Sequence, residues 1–517
     1  MLNISEKRRA YFVLFAMMIL ILLINVDYTA VNIALLPISK DSGADLNTLQ
    51  WLLSGYVLAW ATLVIPAGQM ADIYGKRRLL LWGVSLFALA SILCGLVTSA
   101  PLLIFARVLQ GFGGALFVPP LYALVFECFP PKKRGFAIGM LGVGAAIGLA
   151  IGPSFGGYIL ANFGWRWIFL INAPLCLLTI SMIMLSVAKE PKRLSHGKVD
   201  AQGALLLGAS LMGFMYALNQ SEIWGLKDPA LWSIFAFSLG LLIAFIKTSQ
   251  HKENRLIPQG LFSNKPFVGC LIGFAVYCFS FSTVLVIIGL YLQNIQSYSP
   301  YEAGLIFLAM TFALGILSPF GGSLVDKMDA RYPICGGLLL LGISLAYAMS
   351  FDANTDKTTL LFVLFTMGLG MGLSFPALNA MMMKVVDPKN LSTASGTFIM
   401  AACTSNSLGV VVSTSLFTGL GAFYFNQSLA MDSILLSPEN HQALLDVLAS
   451  AYRDLSSLGG FTAQEIASYI SLINTSLVDA LFWVMGLVAL LSFGAALLCY
   501  RTIKLEEPLD NPETCLA

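Results

Sequence analysis

The 517-residue chain is 58% hydrophobic and only 11% charged, with a mean hydropathy of +0.82. Soluble domains carry about 25% charged residues, so the solvent this composition fits is a lipid bilayer. Nine cysteines with no CxxC pair, three scattered histidines (His196, His251, His441) and the lack of a GxxxxGK[ST] loop exclude a disulfide framework, a metal cluster and an ATP-binding motor; no cofactor and no nucleic-acid partner is expected.

The first apolar stretch follows Lys7-Arg8-Arg9, a flank that also suits a signal peptide. The run is too long for an h-region, lacks a small-x-small cleavage site and contains Asp27, so it reads as a retained spanning helix. Crossing the hydrocarbon takes about 20 apolar residues. Fourteen such stretches follow one another, at 10–36, 48–67, 78–98, 101–127, 135–160, 166–187, 200–218, 230–248, 267–290, 302–324, 332–351, 358–383, 393–420 and 478–500. Helices are the natural form for all of them, because lipid offers no partner to an open backbone. With the N-terminus inside, 23 of the 29 Lys and Arg residues fall in inward-facing segments, five fall outside, and Arg107 lies within a span. This positive-inside excess predicts that both termini are cytoplasmic.

The chain repeats itself. Gly111-x-Gly113-x-x-Leu116-x-x-Pro119-x-Leu121-x-Ala123 returns as Gly368-x-Gly370-x-x-Leu373-x-x-Pro376-x-Leu378-x-Ala380, and the same offset carries Gly139 onto Gly396. Separately, Gly68-x-x-x-Asp72 before a basic loop returns as Gly322-x-x-x-Asp326. Parallel repeats fit this order: an N-terminal six-helix bundle (1–190), two inserted helices (191–262), a C-terminal six-helix bundle (263–505) and a tail (506–517). The second bundle carries a long external loop at 421–477. There Ser437-Pro438-Glu439 opens a helix-like stretch that Gly459-Gly460 closes, and Thr462-x-x-Glu465 is a capping box, so a small external helical hairpin is expected.

Two formally charged residues stand inside the bodies of the spans, Asp27 and Arg107. Each costs about 2.5–3.5 kcal/mol at a helix centre on insertion scales. Span 1 runs outward and span 4 inward, which puts both in the outer half, where they can meet. Burial favours the protonated carboxyl and a nearby guanidinium favours the carboxylate, so a change in their separation would load and unload a proton. The alternative is a static ion pair that fixes helix packing. The position matching Arg107 in the second repeat is Leu364, and span 9 has no acid, which favours a working pair over an architectural one.

Gly144, Gly148, Gly152 and Gly156 lie on one face of span 5, followed by Gly157 and interrupted by Pro153. Small residues at that spacing let helices approach closely, and proline bends the helix. The segment Gly68 to Arg78, with Asp72, Gly75, Lys76 and Arg77, places an acid and a basic cluster at a helix end and suits a latch between the halves, with Asp326 as its counterpart. Asn25, Tyr28, Asn32, Tyr122, Asn379 and Asn406 are polar positions within spans that could line a central cavity, though each alone is more often a helix–helix hydrogen bond. The Met381-Met382-Met383 run reads as lipid-facing or core filler.

These residues resemble the major facilitator superfamily, and within it the fourteen-helix drug:proton antiporters of the EmrB/QacA type. The resemblance rests on Asp27-x-Thr29-x-Val31-Asn32-x-Ala34 with Pro37, Gln50-Trp51 with Tyr56-x-Leu58, the loop from Gly68 to Arg78, Arg107-x-x-Gln110-Gly111, Gly148-x-x-x-Gly152-Pro153-x-x-Gly156-Gly157, and Trp165-Arg166-Trp167-Ile168-Phe169 with Asn172. Asp200-x-x-Gly203 and Tyr291-Leu292-Gln293 with Ser299-Pro300 add to it. The sequence departs from the pattern by an extra residue before Pro37, by Cys403 where an arginine is common and by Ala309 where a proline is common.

The resemblance implies an all-α membrane protein with the major facilitator fold, two six-helix bundles plus two inserted helices. It implies a non-enzymatic, proton-coupled antiporter in the cytoplasmic (inner) membrane that exports amphiphilic small molecules such as drugs, with the proton as coupling ion. For Gram-negative members it also implies a periplasmic adaptor and an outer-membrane channel as partners. An exporter dedicated to one endogenous metabolite, such as a siderophore, and a non-transporting sensor or scaffold of the same fold are the alternatives.

Overall fold

Fourteen helices of the computed structural model are long and apolar enough to cross a bilayer, and no strand occurs among the described residues. The structure describes residues 6–188, 198–225, 228–250, 252, 255–431, 436–449 and 462–503. His196, His251, Gly459-Gly460 and the tail at 506–517 lie outside them.

In chain order the first bundle comprises α1 (Glu6–Ser42), α2 (Trp51–Tyr74), α3 (Lys76–Leu96), α4 (Ala100–Cys128), α5 (Arg134–Phe163) and α6, which is in two pieces, Arg166–Leu170 and Asn172–Ser186. The inserted pair is α7 (Ala201–Trp224) and α8 (Pro229–Gln250). The second bundle comprises α9 (Lys265–Thr283, continued by π-helical turns through Ile295), α10 (Pro300–Lys327), α11 (Arg331–Ala348), α12 (Lys357–Lys384), α13 (Leu391–Met431) and α14 (Ala463–Thr502). Helix starts follow local chemistry. Ser299 and Glu302 form a full capping box at α10, with Pro300 in the first turn. Asp200 caps α7 by accepting from the Gly203 amide at 2.9 Å. The α2–α3 turn needs Gly75, whose φ of +105° is open to glycine at little cost.

The two bundles repeat each other in packing as well as in sequence. In the first, Gly111 of α4 lies against the Tyr56 carbonyl of α2 and Gly113 against Phe87 of α3. In the second, Gly368 of α12 lies against the Met310 carbonyl of α10 and Gly370 against Leu341 of α11. The halves meet along two seams, α2 with α13 and α5 with α10, while α7 packs against α8, α2 and α13. We call the end of the bundle that holds the N-terminus and the basic loops 76–78 and 132–134 the basic end, and the opposite end the far end.

The segment 421–477 is where the structure departs from expectation. The helix expected from Ser437-Pro438-Glu439 is Pro438–Ala449, but the second expected helix is continuous with the last span. Among the described residues, helix α13 continues to Met431, Pro438–Ala449 is a separate short helix and α14 begins at Ala463. The capping box at Thr462 and Glu465 therefore opens the last spanning helix itself. At 1.5 Å per residue the 41 residues of α13 are about 60 Å long, roughly twice the hydrocarbon thickness. Hydropathy marks where a helix leaves lipid, not where it stops being a helix. Met381, Met382 and Met383 are buried and fill the core.

Candidate functional site

Asp27 of α1 and Arg107, in the second turn of α4, come together in the far half of the first bundle. Arg107 Nη1 donates to Asp27 Oδ2 at 2.6 Å, and both side chains are fully buried. The carboxylate is otherwise saturated: Oδ1 accepts from Asn172 Nδ2 at 2.8 Å and from Gln110 Nε2 at 3.1 Å. Asn172 also reaches the Ser91 hydroxyl at 3.0 Å, and Ser91 in turn donates to the Phe169 carbonyl at 2.8 Å. The guanidinium has partners of its own. Nε donates to the Leu52 carbonyl at 3.1 Å, Nη1 to Gln110 Oε1 at 2.7 Å, and the Tyr56 ring lies 4.4 Å from Cζ. The break at Ile171 between the two pieces of α6 sets Asn172 at the start of the second piece, next to Asp27.

The glycine face of α5 packs on the same helix α1. Gly144 meets Met18, Gly148 meets Leu22 and Asn25, Gly152 meets Val26 and Thr29, and Gly156 meets Ala30. Gly157 has open space where a side chain would go. Pro153 lies within α5.

The basic end is sealed by two related contacts. Asp72 of α2 accepts from the amides of Ser392 (3.1 Å) and Thr393 (2.8 Å) at the start of α13. Asp326 of α10 accepts from the amides of Gly135 (3.0 Å) and Phe136 (3.1 Å) at the start of α5. Each carboxylate caps a helix of the other half, where unpaired amides and the helix dipole favour an anion. Gly68 sits on the Ser392 carbonyl and Gly322 on the Gly135 carbonyl, so no side chain fits at either crossing. Of the basic residues, Lys76 pairs with Glu127 at 2.5 Å and Arg77 donates to the Met184 carbonyl at 3.4 Å, both within the first half. The close approaches continue to Gly396 on Val64 and Gly315 on Ala146.

Toward the far end a cleft opens between α2 and α13, and Tyr28 lines it. Asn32 is exposed one turn further along α1. Asn25, Asn32 and Asn379 donate to carbonyls of their own helices, those of Ile21, Tyr28 and Phe375. Tyr122 is buried in the core, and Asn406 Oδ1 is buried without a hydrogen-bond partner in the structure. Ser91, Ser392 and Thr393 carry no charge or glycine pattern and escape a sequence reading. Only the position of Ser392-Thr393 at a helix start hints at exposed amides.

Comparison with known proteins agrees with this architecture. The Major Facilitator Superfamily model matches residues 17–258 and 270–514. The chain is 28% identical over 423 residues to a multidrug resistance protein B homolog of Mycobacterium tuberculosis, covering 80% of this chain and 77% of that one. It is 30% identical over 367 residues to the tetracenomycin C resistance and export protein of Streptomyces glaucescens, covering 70% and 68%. The fold superposes on the human organic anion transporter MFSD10 with a TM-score of 0.59 at 14% identity, over 96% of this chain and 100% of that one.

Proposed function

Because the chain belongs to the major facilitator superfamily, we propose that it is a proton-coupled antiporter exporting amphiphilic small molecules across the cytoplasmic membrane by alternating access. The observation that carries this reading is the buried Asp27–Arg107 pair. A buried ion stripped of its only counter-charge is strongly destabilising. Here the guanidinium keeps the Leu52 carbonyl, Gln110 and the Tyr56 ring when the carboxylate is neutral. Asp27 can therefore accept a proton without leaving Arg107 bare, and a shift of α1 against α4 changes which state is favoured. Since Gly148, Gly152 and Gly156 seat α5 directly on α1, such a shift passes to α5 and through it to the seam with α10.

The positive-inside tally puts the basic end in the cytoplasm. The sealed basic end with a cleft toward the far end then corresponds to the outward-facing state, held by the Asp72 and Asp326 caps. The relatives named for multidrug resistance and for export of an antibiotic support the cargo class and the direction. The parts of α13 and α14 that run past the hydrocarbon, with the short helix between them, are the surface a periplasmic adaptor would meet. The test is efflux from membrane vesicles under an imposed pH gradient. Asp27→Asn should abolish the gradient dependence; a variant that still responds to the gradient removes Asp27 as carrier.

A further inference from the structure

We infer that the inserted helix α7 builds, together with α2 and α13, a subsite for one ring-sized, uncharged end of the cargo. This assignment rests on the transport reading for its purpose but not for its geometry. The cleft, open on one side, holds about 180 Å³, and Tyr28, Ser54, Leu58, Met215, Asn219 and Ser407 are among the residues that line it.

The cleft exists because α2 and α13 converge at one end only. Gly396 lets α13 touch the Val64 backbone, yet Ser54 lies ten residues further along α2, about 15 Å at 1.5 Å per residue. The gap that this divergence leaves is walled by α7. Met215 packs on Leu58 and Ala61 with Cys403 beside it, and Asn219 Nδ2 donates to Ser54 Oγ at 2.8 Å. Gly208 brings α7 against Thr62 one level lower. The insert thus does more than pad the lipid face: it converts a slot between the halves into a pocket.

Chemistry and size name the occupant. The walls are aliphatic, with hydroxyls from Tyr28, Ser54 and Ser407 and the amide of Asn219, and no charged side chain lines the cleft. The neighbouring acid, Asp27, is adjacent to Tyr28 in the chain but is committed to Arg107, Gln110 and Asn172. A cation brought here would lose water and gain no counter-ion, which is costly. A neutral group with one hydrogen-bonding atom loses little. A cavity of about 150 Å³ holds benzene, whereas drug-sized pockets run to about 300–1,000 Å³. The cleft therefore takes one ring, and the rest of a larger molecule lies outside it.

Photolabelling of the purified full-length protein in nanodiscs tests this without any proton gradient. The probe is azipropofol, a neutral single-ring phenol, with propofol and the tetraphenylphosphonium cation as competitors. Adducts should fall on peptides spanning 53–58 and 214–219 and be displaced by propofol but not by the cation. Leu218 also lines the cleft, and Leu218→Trp should cut labelling at least tenfold. Leu205→Trp, on the 72%-exposed outer face of the same helix, should leave labelling unchanged and controls for folding. Asn219→Ala should lower labelling severalfold. Adducts elsewhere, displacement by the cation, or a Leu218→Trp protein with unchanged unfolding temperature and unchanged labelling would each overturn the subsite. Loss of gradient-driven efflux with labelling intact would count against the transport reading alone.

Discussion

Asp72 and Thr393, 321 residues apart, are joined by two hydrogen bonds: Asp72 Oδ2 accepts from the Thr393 amide at 2.8 Å and from its hydroxyl at 2.7 Å. A carboxylate of the first half thereby caps a helix of the second, and Asp326 returns the arrangement at Gly135 and Phe136. Closure of the basic end is thus made of the same interaction twice, once in each repeat.

Removing one cap should favour opening at that end. A helix cap contributes about 0.5–2 kcal/mol, so Asp72→Ala is expected to raise the basic-end-open population by roughly 2- to 30-fold. Spin labels at exposed Lys132 and Lys389, one on each half, should report longer distances. Unchanged distance distributions would show that the cap does not hold the seam.

The two caps lie on different seams and share no partner. Free-energy effects of separated sites add to within about 0.3–0.5 kcal/mol. The Asp72→Ala, Asp326→Ala double variant should therefore shift the open–closed equilibrium by the sum of the single free-energy effects, so that the open-to-closed ratios read from the same distances multiply. A double variant no different from either single one would mean that a single seam governs closure.

Glycine at the crossings should be irreplaceable where backbones touch and dispensable where they do not. Gly135→Val places a side chain into the Gly322 backbone, and the seam must part to admit it. Thiol labelling of a cysteine introduced at the basic end should rise sharply. Gly157→Ala meets nothing within 4 Å and exchanges glycine for a better helix former, so stability should hold or rise by up to about 1 kcal/mol.

The buried pair should be dearer to break than to delete. Arg107→Gln or Asp27→Asn alone leaves a buried polar group without its partner, a loss of about 3–5 kcal/mol when the orphan is charged. Asp27→Asn should be the milder single change, since the guanidinium keeps the Leu52 carbonyl, Gln110 and the Tyr56 ring. The double variant should recover part of the loss in thermal unfolding in detergent. Strict additivity of the two losses would mean that the groups do not interact in the folded protein.

At the basic end the insert is tied to the first half through Gln69. Gln69 Oε1 accepts from the Asp200 amide at 3.1 Å and Nε2 donates to the Arg255 carbonyl at 2.9 Å, so a single residue of α2 holds both ends of the α7–α8 segment. Each such bond contributes about 0.5–1.5 kcal/mol. Gln69→Ala should speed hydrogen exchange of the Asp200 amide by about 2- to 13-fold while leaving α4 amides protected.

Much of this was legible in one dimension. Asp27 and Arg107 stand out because any charge in hydrocarbon is expensive whatever surrounds it. Gly68, Gly322, Gly139 and Gly396 could be paired by offset because the repeat preserves the places where backbones touch. Asn172 was not legible as a partner of the carboxylate, nor Ser91 as the hydroxyl behind Asn172, since a hydroxyl or amide in a span bonds its own helix as readily as a distant one. Nor did hydropathy show that α13 and α14 run on into the loop at 421–477, because lipid solubility and helicity end at different residues.

The sequence alone determined that the chain lives in a bilayer, how many times it crosses, which end is basic and which charges are stranded, because each of these follows from local composition. Only the tertiary structure decided which groups answer those charges, that Asp72 and Asp326 cap helices across the seams, and that α7 closes a pocket. Apart from Gln110, three residues from Arg107, those partners lie from tens to hundreds of residues apart, and their meeting depends on how whole helices pack rather than on any residue's neighbours in the chain.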